Sequence, residues 1–574
     1  MRIGLLTEGG YPYVSGDAGH WCDRLVRGLA QHEIDVYALS RSEGQESEGL
    51  LALPPQVRRV RTAPLWTADE DGVVHGRRAR RRFAECYGEL AAVLCSGVAA
   101  DGGEGASDGP DDSTATVADR FASALYGLAE LARDEGGLVG ALRSETAVRA
   151  LERACRAPGA LRTAYEVRVT DLLTVAARLE HALRPLSLDW YEDDGLGSAD
   201  LCHAASGGVA ALPGLLARHF TGVPLLVTEY GVRLRTHYLA PQDSSPAVRS
   251  LLAAFHGRLA AEIYRQAACL TPGNAHARRW QERCGADRAK LRTVYPGMDA
   301  APFAEVGESP ERAAPDTLVW VGRVEPAKDL VSLLHAFAEI RKEEPGTRLR
   351  VLGAPTGPEG AAYLAHCQAL AAQLFPDEAV GPHAVGDNPV SFEELGGPET
   401  PTLADAYASG AVSVLSSVVE GFPIGLVEAM FCGRATVSTD VGAVVEVIGG
   451  TGLVVPPRNP RALAEACVAL LRDPERRERL GAAARARALE LFTVEQNVAA
   501  FHGIYLEIVS RSPARHAPLD DTGDPLPFAV PAEAHLPGRW TAPASRMVAR
   551  GGPGWAAGPP VRATTRVPAA EAVR

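Results

Sequence analysis

The stretch VSVLSSVVEGFPIGLVEAMFCGRATVS, residues 412–438, contains a complete strand-loop-helix-strand pattern. The short apolar runs at 412–415 and 435–438 have the length of buried parallel strands. The apolar run between them has the length of one helix, and parallel neighbours need a crossover of this kind. This stretch therefore predicts an α/β fold with a parallel sheet.

The same pattern recurs along the chain. Six further apolar runs, each followed by a helical pattern, lie at residues 3–6, 36–39, 225–228, 291–294, 318–321 and 349–352. The alternation starts twice, at Arg2 and near Thr317, and a Pro-, Gly- and Ala-rich linker at 296–315 separates the two series. We expect two Rossmann-like domains, over 1–300 and 301–493, with a helix at about 494–510 packing back on the first.

Two segments depart from this alternation. Between about 78 and 186 helix formers dominate, which predicts a helical insertion in the first domain. Within it, the Gly-, Asp- and Ser-rich piece at 101–116 predicts a disordered loop. After Arg511 the composition turns to Pro, Ala, Gly and Arg without periodicity, so residues 513–574 are predicted to form a disordered tail.

Composition narrows the class of protein. The 574 residues carry a formal net charge of -13, which argues against nonspecific binding to nucleic acid or anionic membranes. The ten cysteines are scattered singly, without a CxxC pair or a zinc-type spacing, as is typical of reduced core residues. The N-terminus MRIGLLTEGG is typical of a first strand, and no apolar run approaches the roughly 18 residues that span a membrane. We expect a cytoplasmic protein without a transmembrane segment.

Two carboxylates flank the loop within the stretch 412–438. Glu420 lies on the loop and Glu428 about one turn into the helix, so both can face a crevice at the carboxyl end of the sheet. A carboxylate accepts paired hydrogen bonds from vicinal hydroxyls, and free N–H groups lie at the helix start. The pair could hold a ribose and a hexose. The alternative is that Glu420 only caps the helix and Glu428 is an exposed helix residue.

Two cations follow the run at 318–321, in GRVEPAKDL (residues 322–330). Arg323 lies at a strand end and Lys328 at a helix start, which places both beside amide donors and suits a diphosphate. Arg323 can bind two oxygens in a fork, whereas Lys328 acts as a point charge. The alternative is a solvated surface loop.

Two candidates lie in the first domain. The segment EGGYPYVSGDAGHW (residues 8–21) is either a glycine-rich turn whose backbone approaches a phosphate, or a plain structural turn. His203 ends a short apolar strand, so we expect it to point into the interdomain cleft, the alternative being a histidine satisfied by nearby backbone. We interpret five other histidines as structural: His20, His219, His237, His256 and His276.

Together these segments resemble glycosyltransferase family four, retaining enzymes of the GT-B fold. The resemblance rests on EGFPIGLVE, on GRVEPAKDL and on FCGRATVSTDVGAVVEVIGGTGLVVPP, and it covers about residues 1–77 and 188–510. The segments TEGGYPYVSGDAGHWCDRLVRGL and VTEYGVRLR further resemble the PelF-type branch, whose members polymerise sugars from UDP-glucose. The implied fold has two Rossmann-like domains facing a central cleft, with a helical insertion in the first.

The resemblance also implies residue roles. Glu420 would bind hydroxyls of the donor sugar, Glu428 the ribose, and Arg323 and Lys328 the departing diphosphate. The implied catalytic set is His203, Arg323, Lys328 and Glu420, and the implied donor-binding set is Gly16, Gly322, Arg323, Lys328, Glu420, Gly421, Phe422, Pro423, Ile424, Gly425 and Glu428. No cofactor and no metal ion are expected.

The function that follows is transfer of a hexose from a nucleotide sugar, UDP-glucose or similar, to a saccharide or small-molecule acceptor. Exopolysaccharide synthesis, with peripheral association to a membrane assembly, is the expected context. Two departures from the family pattern are Asp17, where a second glycine is common, and EGFP, where the PelF-type branch tends to carry EGQP. Asp17 keeps open the alternative of a catalytically silent subunit that binds nucleotide sugars. A GT-B epimerase or phosphorylase is a third interpretation, against which the EGFPIGLVE pair weighs.

Overall fold

The computed structural model describes residues 1–13, 17–67, 72–96, 112–240, 244–309, 314–375, 388–397 and 400–512. Three predictions fall on other residues: the disordered tail at 513–574, the role of Gly16, and most of the disordered loop at 101–116. These predictions lie outside the described part of the chain, except that residues 112–116 begin a helix (Asp112–Glu135), where the prediction of disorder is wrong.

The first domain is built on a six-stranded parallel sheet. Its strands are β1 (Arg2–Glu8), β2 (Glu33–Ser40), β3 (Val57–Pro64), β4 (Leu201–Ala204), β5 (Leu225–Glu229) and β6 (Cys269–Pro272), in the order β3-β2-β1-β4-β5-β6. The direction of winding changes between β1 and β4. In this architecture ligands bind beyond the carboxyl ends of the strands at such a point.

Helices cover both faces of this sheet and form the insertion between β3 and β4. They are α1 (Asp17–Gly28), α2 (Glu43–Ser47), α3 (Arg77–Cys95), α4 (Asp112–Glu135), α5 (Leu138–Leu142), α6 (Glu145–Cys155), α7 (Arg162–Tyr165), α8 (Val169–Leu183), α9 (Leu212–Thr221), α10 (Arg233–Leu239), α11 (Pro246–Gln266) and α12 (Ala275–Arg283). In the insertion, α3 buries Phe83, Tyr87, Leu90 and Leu94, a helical spacing that creates one apolar face. This face joins the core of the sheet, so the insertion extends the first domain.

The second domain repeats the design. Its strands are β7 (Ala314–Val321), β8 (Arg348–Leu352), β9 (Val390–Glu393), β10 (Gly410–Leu415), β11 (Ala435–Thr439) and β12 (Leu453–Val455), in the order β12-β11-β10-β7-β8-β9. Its helices are α13 (Ala304–Glu308), α14 (Leu330–Glu343), α15 (Gly357–Leu374), α16 (Leu403–Ala408), α17 (Ile424–Phe431), α18 (Val444–Ile448), α19 (Pro460–Leu471) and α20 (Pro474–Leu491). Here the winding changes between β7 and β10.

The chain crosses between the two sheets twice, and the two crossings are joined. The N–H of Met298 donates to the carbonyl of Phe492 at 2.8 Å, and the N–H of Val494 donates to the carbonyl of Met298 at 3.2 Å. The last helix, α21 (Val494–Ser510), then packs on the first sheet, where Phe501 and Tyr505 are buried. The first domain is therefore built from both ends of the described chain.

The predicted strands are present with one exception. Residues 291–294 form no strand, although two backbone hydrogen bonds join this segment to the edge strand β6. The segment stops short of a ladder because Pro296 follows and has no N–H to donate. None of the helices described here is both long enough and apolar enough to cross a membrane.

Candidate active site

Two loops at the carboxyl edge of the second sheet lie side by side. One follows β7 and the other follows β10, and these strands are neighbours. The N–H of Val418 donates to the carbonyl of Ala327 at 2.9 Å, and the hydroxyl of Ser416 donates to the carbonyl of Lys328 at 2.7 Å. The sheet thus brings GRVEPAKDL against the start of the glutamate loop.

A left-handed turn directs Lys328 into this edge. Asp329 has φ 48° and ψ 50°, a conformation that Asp tolerates better than most residues, and its Oδ1 accepts from the N–H of Ser332 at 3.3 Å to cap α14. The ammonium of Lys328 lies 2.5 Å from Oε1 of Glu420, and the two side chains are 17% and 10% exposed. Ser417 donates to the same oxygen at 2.7 Å. Lys328, the predicted ligand of the diphosphate, and Glu420, the predicted ligand of the sugar, therefore form one ion pair.

The glutamate loop needs a glycine beneath it. Gly442 has φ 58°, and a Cβ at this position would overlap the carbonyl oxygen of Glu420. The next residue, Ala443, donates its N–H to the carbonyl of Gly421 at 3.1 Å. A side chain at Gly442 would displace the loop, so the absence of a side chain at this position lets Glu420 occupy its place in the site.

Glu428 is the fifth residue of α17, and its side chain is partly buried. The hydroxyl of Tyr407, on α16, lies 3.0 Å from Oε2 of Glu428 and 2.9 Å from the carbonyl of Gly425. Burial raises the pKa of the Glu428 carboxyl, and the Tyr407 hydroxyl partly offsets this effect. Tyr407 thus fixes the orientation of Glu428, a contact between distant segments that the sequence did not indicate.

The predicted donor residues surround one cavity of about 450 Å³. Those that line it are Gly322, Arg323, Lys328, Glu420, Phe422, Pro423, Ile424, Gly425 and Glu428. Gly421 is not among the lining residues, and Gly16 lies outside the described residues. We call this space the donor cavity; binding of a donor by its residues remains a prediction.

A larger cavity of about 750 Å³ lies between the two domains and shares Phe422, Ile424 and Glu428 with the donor cavity. Its opposite wall comes from the ends of β1 and β4 and from α1, including His20 and Arg24. We call it the cleft cavity. His20, which we interpreted as structural, is exposed and lines it. Its spacing of four residues from Arg24 would have placed both on one face of α1.

His203 lies inside the first domain, and its predicted position in the cleft is wrong. The side chain is fully buried, with Nδ1 2.7 Å from the hydroxyl of Tyr505 and Nε2 2.7 Å from the hydroxyl of Thr228. Burial lowers the pKa of His203 to about 3, so the ring is neutral. Side chains alternate between the faces of a strand, and residue 203 points toward the face that α21 covers.

An arginine of the first domain reaches the glutamate loop. Arg235, on α10, donates from Nη2 to the carbonyl of Glu420 at 3.1 Å. Burial lowers the pKa of Arg235 and the charge of Glu420 opposes this shift. The contact links the two walls of the cleft beside the donor cavity. Arg235 lies in the segment VTEYGVRLR, but only its placement on the facing domain shows this role.

Comparison with known proteins places the chain in a family and confirms the fold. Residues 1–289 match a family described as "Domain of unknown function (DUF3492)", and residues 315–473 match "Glycosyl transferases group 1". Two solved structures have the same fold. Sucrose-phosphate synthase from Thermosynechococcus elongatus is 16% identical with a TM-score of 0.51, and the match covers 89% of this chain and 100% of that one. HepE from Anabaena in complex with UDP is 14% identical with a TM-score of 0.50, and the match covers 88% of this chain and 99% of that one. The predicted GT-B fold is thereby confirmed.

Curated relatives match a shorter part of the chain. The D-inositol 3-phosphate glycosyltransferase of Kineococcus radiotolerans is 34% identical over 225 residues, which is 36% of this chain and 49% of that protein. The protein of the same name from Streptomyces bingchenggensis is 31% identical over 236 residues, or 39% and 49%. The chain thus spans about half the length of these relatives. It belongs to the family described as "Domain of unknown function (DUF3492)", and its second half carries a glycosyl transferases group 1 domain.

Proposed function

We propose that this protein is a retaining glycosyltransferase that transfers a hexose from a UDP-sugar to a saccharide or small-molecule acceptor. The observation that carries the proposal is the donor cavity, where two cations and two carboxylates from separate loops converge. Each of these four residues suits one part of a nucleotide sugar.

The two carboxylates would hold the two sugars of the donor. Both bonds of Glu420 to Lys328 and Ser417 use Oε1, so Oε2 is the oxygen that would accept a hydroxyl of the transferred sugar. Glu428, on α17, lines both the donor cavity and the cleft cavity, and would accept hydrogen bonds from the ribose hydroxyls. Tyr407 holds its carboxylate ready for this contact.

The two cations would stabilise the leaving group. When the bond between the sugar and the diphosphate breaks, negative charge develops on the β-phosphate, and fixed cations beside it lower the barrier. The ammonium of Lys328 has three N–H groups, and one bonded to Glu420 leaves two for phosphate oxygens. Arg323 lines the same cavity and can bind two oxygens. In this proposal the acceptor attacks on the face from which the diphosphate leaves, without a metal ion.

Two comparisons support the choice of nucleotide and of acceptor in this proposal. The neighbouring structure of HepE is in complex with UDP, and the curated relatives are named for D-inositol 3-phosphate. UDP-glucose, a PelF-like place in polysaccharide synthesis and cytoplasmic action belong to the same proposal. D-Inositol 3-phosphate is a second acceptor to test.

A donor screen tests the proposal. The purified full chain is melted with a panel of UDP- and GDP-sugars, and products with added acceptors are followed by mass. We expect a UDP-hexose to raise the melting temperature and to be consumed. Stabilisation by no nucleotide sugar would refute the proposal. Stabilisation without turnover under any condition would favour the catalytically silent subunit, consistent with Asp17 at the start of α1.

A pair of arginine variants locates the chemistry. We expect Arg323→Ala to lower kcat by about 10²- to 10³-fold, because its contact strengthens as charge develops. Arg461→Ala removes an exposed arginine of α19 in the same domain and should leave kcat unchanged. Equal turnover of the two variants would exclude Arg323 from the leaving-group role.

A further inference from the structure

A basic cavity of about 450 Å³ lies in the first domain, beneath the helical insertion. Its cationic and imidazole groups come in pairs from three helices: Arg178 and His181 from α8, Arg233 and His237 from α10, and Arg249 and His256 from α11. Glu8, at the carboxyl end of β1, also lines this cavity. The cavity therefore lies at the edge of the sheet where this architecture binds ligands.

The charge of this cavity is opposite to that of the whole chain. The protein carries a formal net charge of -13, yet three guanidiniums converge here. Within the described residues none of these three makes an ion pair with a carboxylate. Glu8 is itself neutralised by an ion pair of 3.0 Å with Arg41. Arg178 and Arg233 are exposed and Arg249 is half-buried, so an anion can reach these guanidiniums from solvent, and its charge would offset the repulsion between them.

The walls of the basic cavity strengthen this field. Phe255 is fully buried on α11, and Val209 and Ala182 add apolar surface. Charges act more strongly beside such apolar walls than in open water. His237 lies 2.9 Å from the carbonyl of Arg249, which ties α10 to α11 and keeps the arginines of the two helices close.

The basic cavity is adjacent to the cleft cavity. Glu8 lines both the basic cavity and the cleft cavity. The cleft cavity in turn shares Glu428 with the donor cavity. The three cavities therefore lie in series, and an acceptor with its reacting hydroxyl at the donor cavity would have its other end on the side of the three arginines.

We infer that the basic cavity binds a phosphate group carried by the acceptor, with Arg178, Arg233 and Arg249 as its ligands. This inference rests on the proposed glycosyltransferase function, because it assigns the far end of that acceptor. A phosphate monoester carries about -1.5 to -2 charges and three acceptor oxygens, which matches three guanidiniums approaching from separate helices. A carboxylate, with one charge, would be satisfied by a single arginine fork. The insertion supplies Arg178, which gives this segment a role in acceptor selection.

Calorimetric titration of the full chain tests the inference. The protein is first saturated with UDP, so that Arg323 and Lys328 are occupied, and is then titrated with glucose 6-phosphate, glucose or glucuronate at equal ionic strength. We expect glucose 6-phosphate to bind at least about tenfold more tightly than either other sugar, since hydrogen bonds to charged groups are strong. Inorganic phosphate should displace it from the unmodified protein.

Variants assign the binding to this cavity. Arg178→Gln and Arg249→Gln should each weaken glucose 6-phosphate binding by about tenfold or more and leave the Kd for UDP unchanged. Arg153→Gln changes an exposed arginine on α6 of the same insertion and should alter neither value. Melting temperatures within a few degrees of the unmodified protein identify folded variants, and displacement by inorganic phosphate tests the site without any substitution.

Three results would overturn the inference: equal binding of all three sugars, tighter binding of glucuronate, or unchanged glucose 6-phosphate binding in both variants. Each can be observed while UDP binds normally, so each leaves the proposed donor site standing. If the unmodified protein does not bind UDP at all, the proposed function is refuted instead, whether or not glucose 6-phosphate binds.

Discussion

Replacing Glu428 by Gln separates a ribose ligand from a structural helix residue, because only a ribose ligand should lose affinity for UDP when its charge is removed. Burial raises the pKa of this carboxyl above the usual value of 4.5, so its ionised form costs the fold free energy at neutral pH. An amide of the same size removes the charge and can still accept from Tyr407, 3.0 Å away. We expect the unfolding free energy of Glu428→Gln to rise by about 1 kcal/mol at pH 7.5.

The sign of this effect also fixes its pH dependence. Between 4.5 and the raised pKa, the folded protein binds more protons than the unfolded chain, so stability falls as the pH rises through this window. Below about pH 4.5 the carboxyl is protonated in both states and the cost disappears. The advantage of the amide should therefore be full at pH 7.5 and vanish at the acid end of the window.

The affinity for UDP should fall in Glu428→Gln, although the unfolding free energy rises. Ribose hydroxyls that donate to an ionised carboxylate make charge-assisted bonds, worth about 1.5–3 kcal/mol. Their loss predicts a 10- to 150-fold rise in the Kd for UDP, on the order of tenfold per 1.4 kcal/mol. More stable protein with weaker UDP binding is a combination that a simple helix residue would not produce.

Thermal melts at two pH values and calorimetric titration with UDP measure both effects. Glu490→Gln, an exposed change on α20 in the same domain, serves as the matched control and should alter neither quantity. An unchanged Kd for UDP would refute the ribose role of Glu428. A lower melting temperature at pH 7.5 than in the control would refute the argument from burial.

Three further substitutions test two loops of the site and the buried core of the first domain. Lys328→Met leaves the Glu420 carboxylate without its cation and should lower the unfolding free energy by about 2 kcal/mol, measured in thermal melts, with part recovered in the double variant with Glu420→Gln. Gly442→Ala should cost about 1–3 kcal/mol and weaken UDP-sugar binding, because its Cβ displaces the glutamate loop; full affinity would contradict this. The folded pKa of His203 is about 3, so the unfolded chain gains a proton as the pH falls below 6.5 and the folded protein does not. His203→Gln should therefore show a smaller loss of melting temperature than the unmodified protein between pH 7 and pH 5.

The parallel sheets were predictable because their central strands are buried on both faces and appear as short apolar runs. Such runs identified β1, β2 and β5 in the first domain. The edge strands gave weaker signals. For example, β3 (VRRVRTAP) mixes valine with arginine and is only partly buried, since it has one strand neighbour. The predicted domain boundaries remain a prediction.

The placement of His203 shows why a position at a strand end does not fix the direction of a side chain. The sequence located the end of β4 correctly, but alternation sends each residue to one face or the other. The face of His203 is covered by α21, a helix that begins 291 residues later in the chain and returns to the first domain. A local pattern contains no information about such a partner.

The proposed donor and acceptor cavities differ in how far the sequence determines their lining residues. Lys328 and Glu420 lie on loops after adjacent strands, so strand order alone brings them together once the fold is known. The basic cavity depends instead on helices from distant segments: Arg178 comes from the insertion and Arg249 from α11, which meet only through tertiary packing. His237 and His256, which we interpreted as structural, prove to line the same basic cavity. If the cavity binds phosphate, acceptor choice can change by substitutions in the insertion while the donor loops stay the same, because the two sets of ligands belong to separate domains.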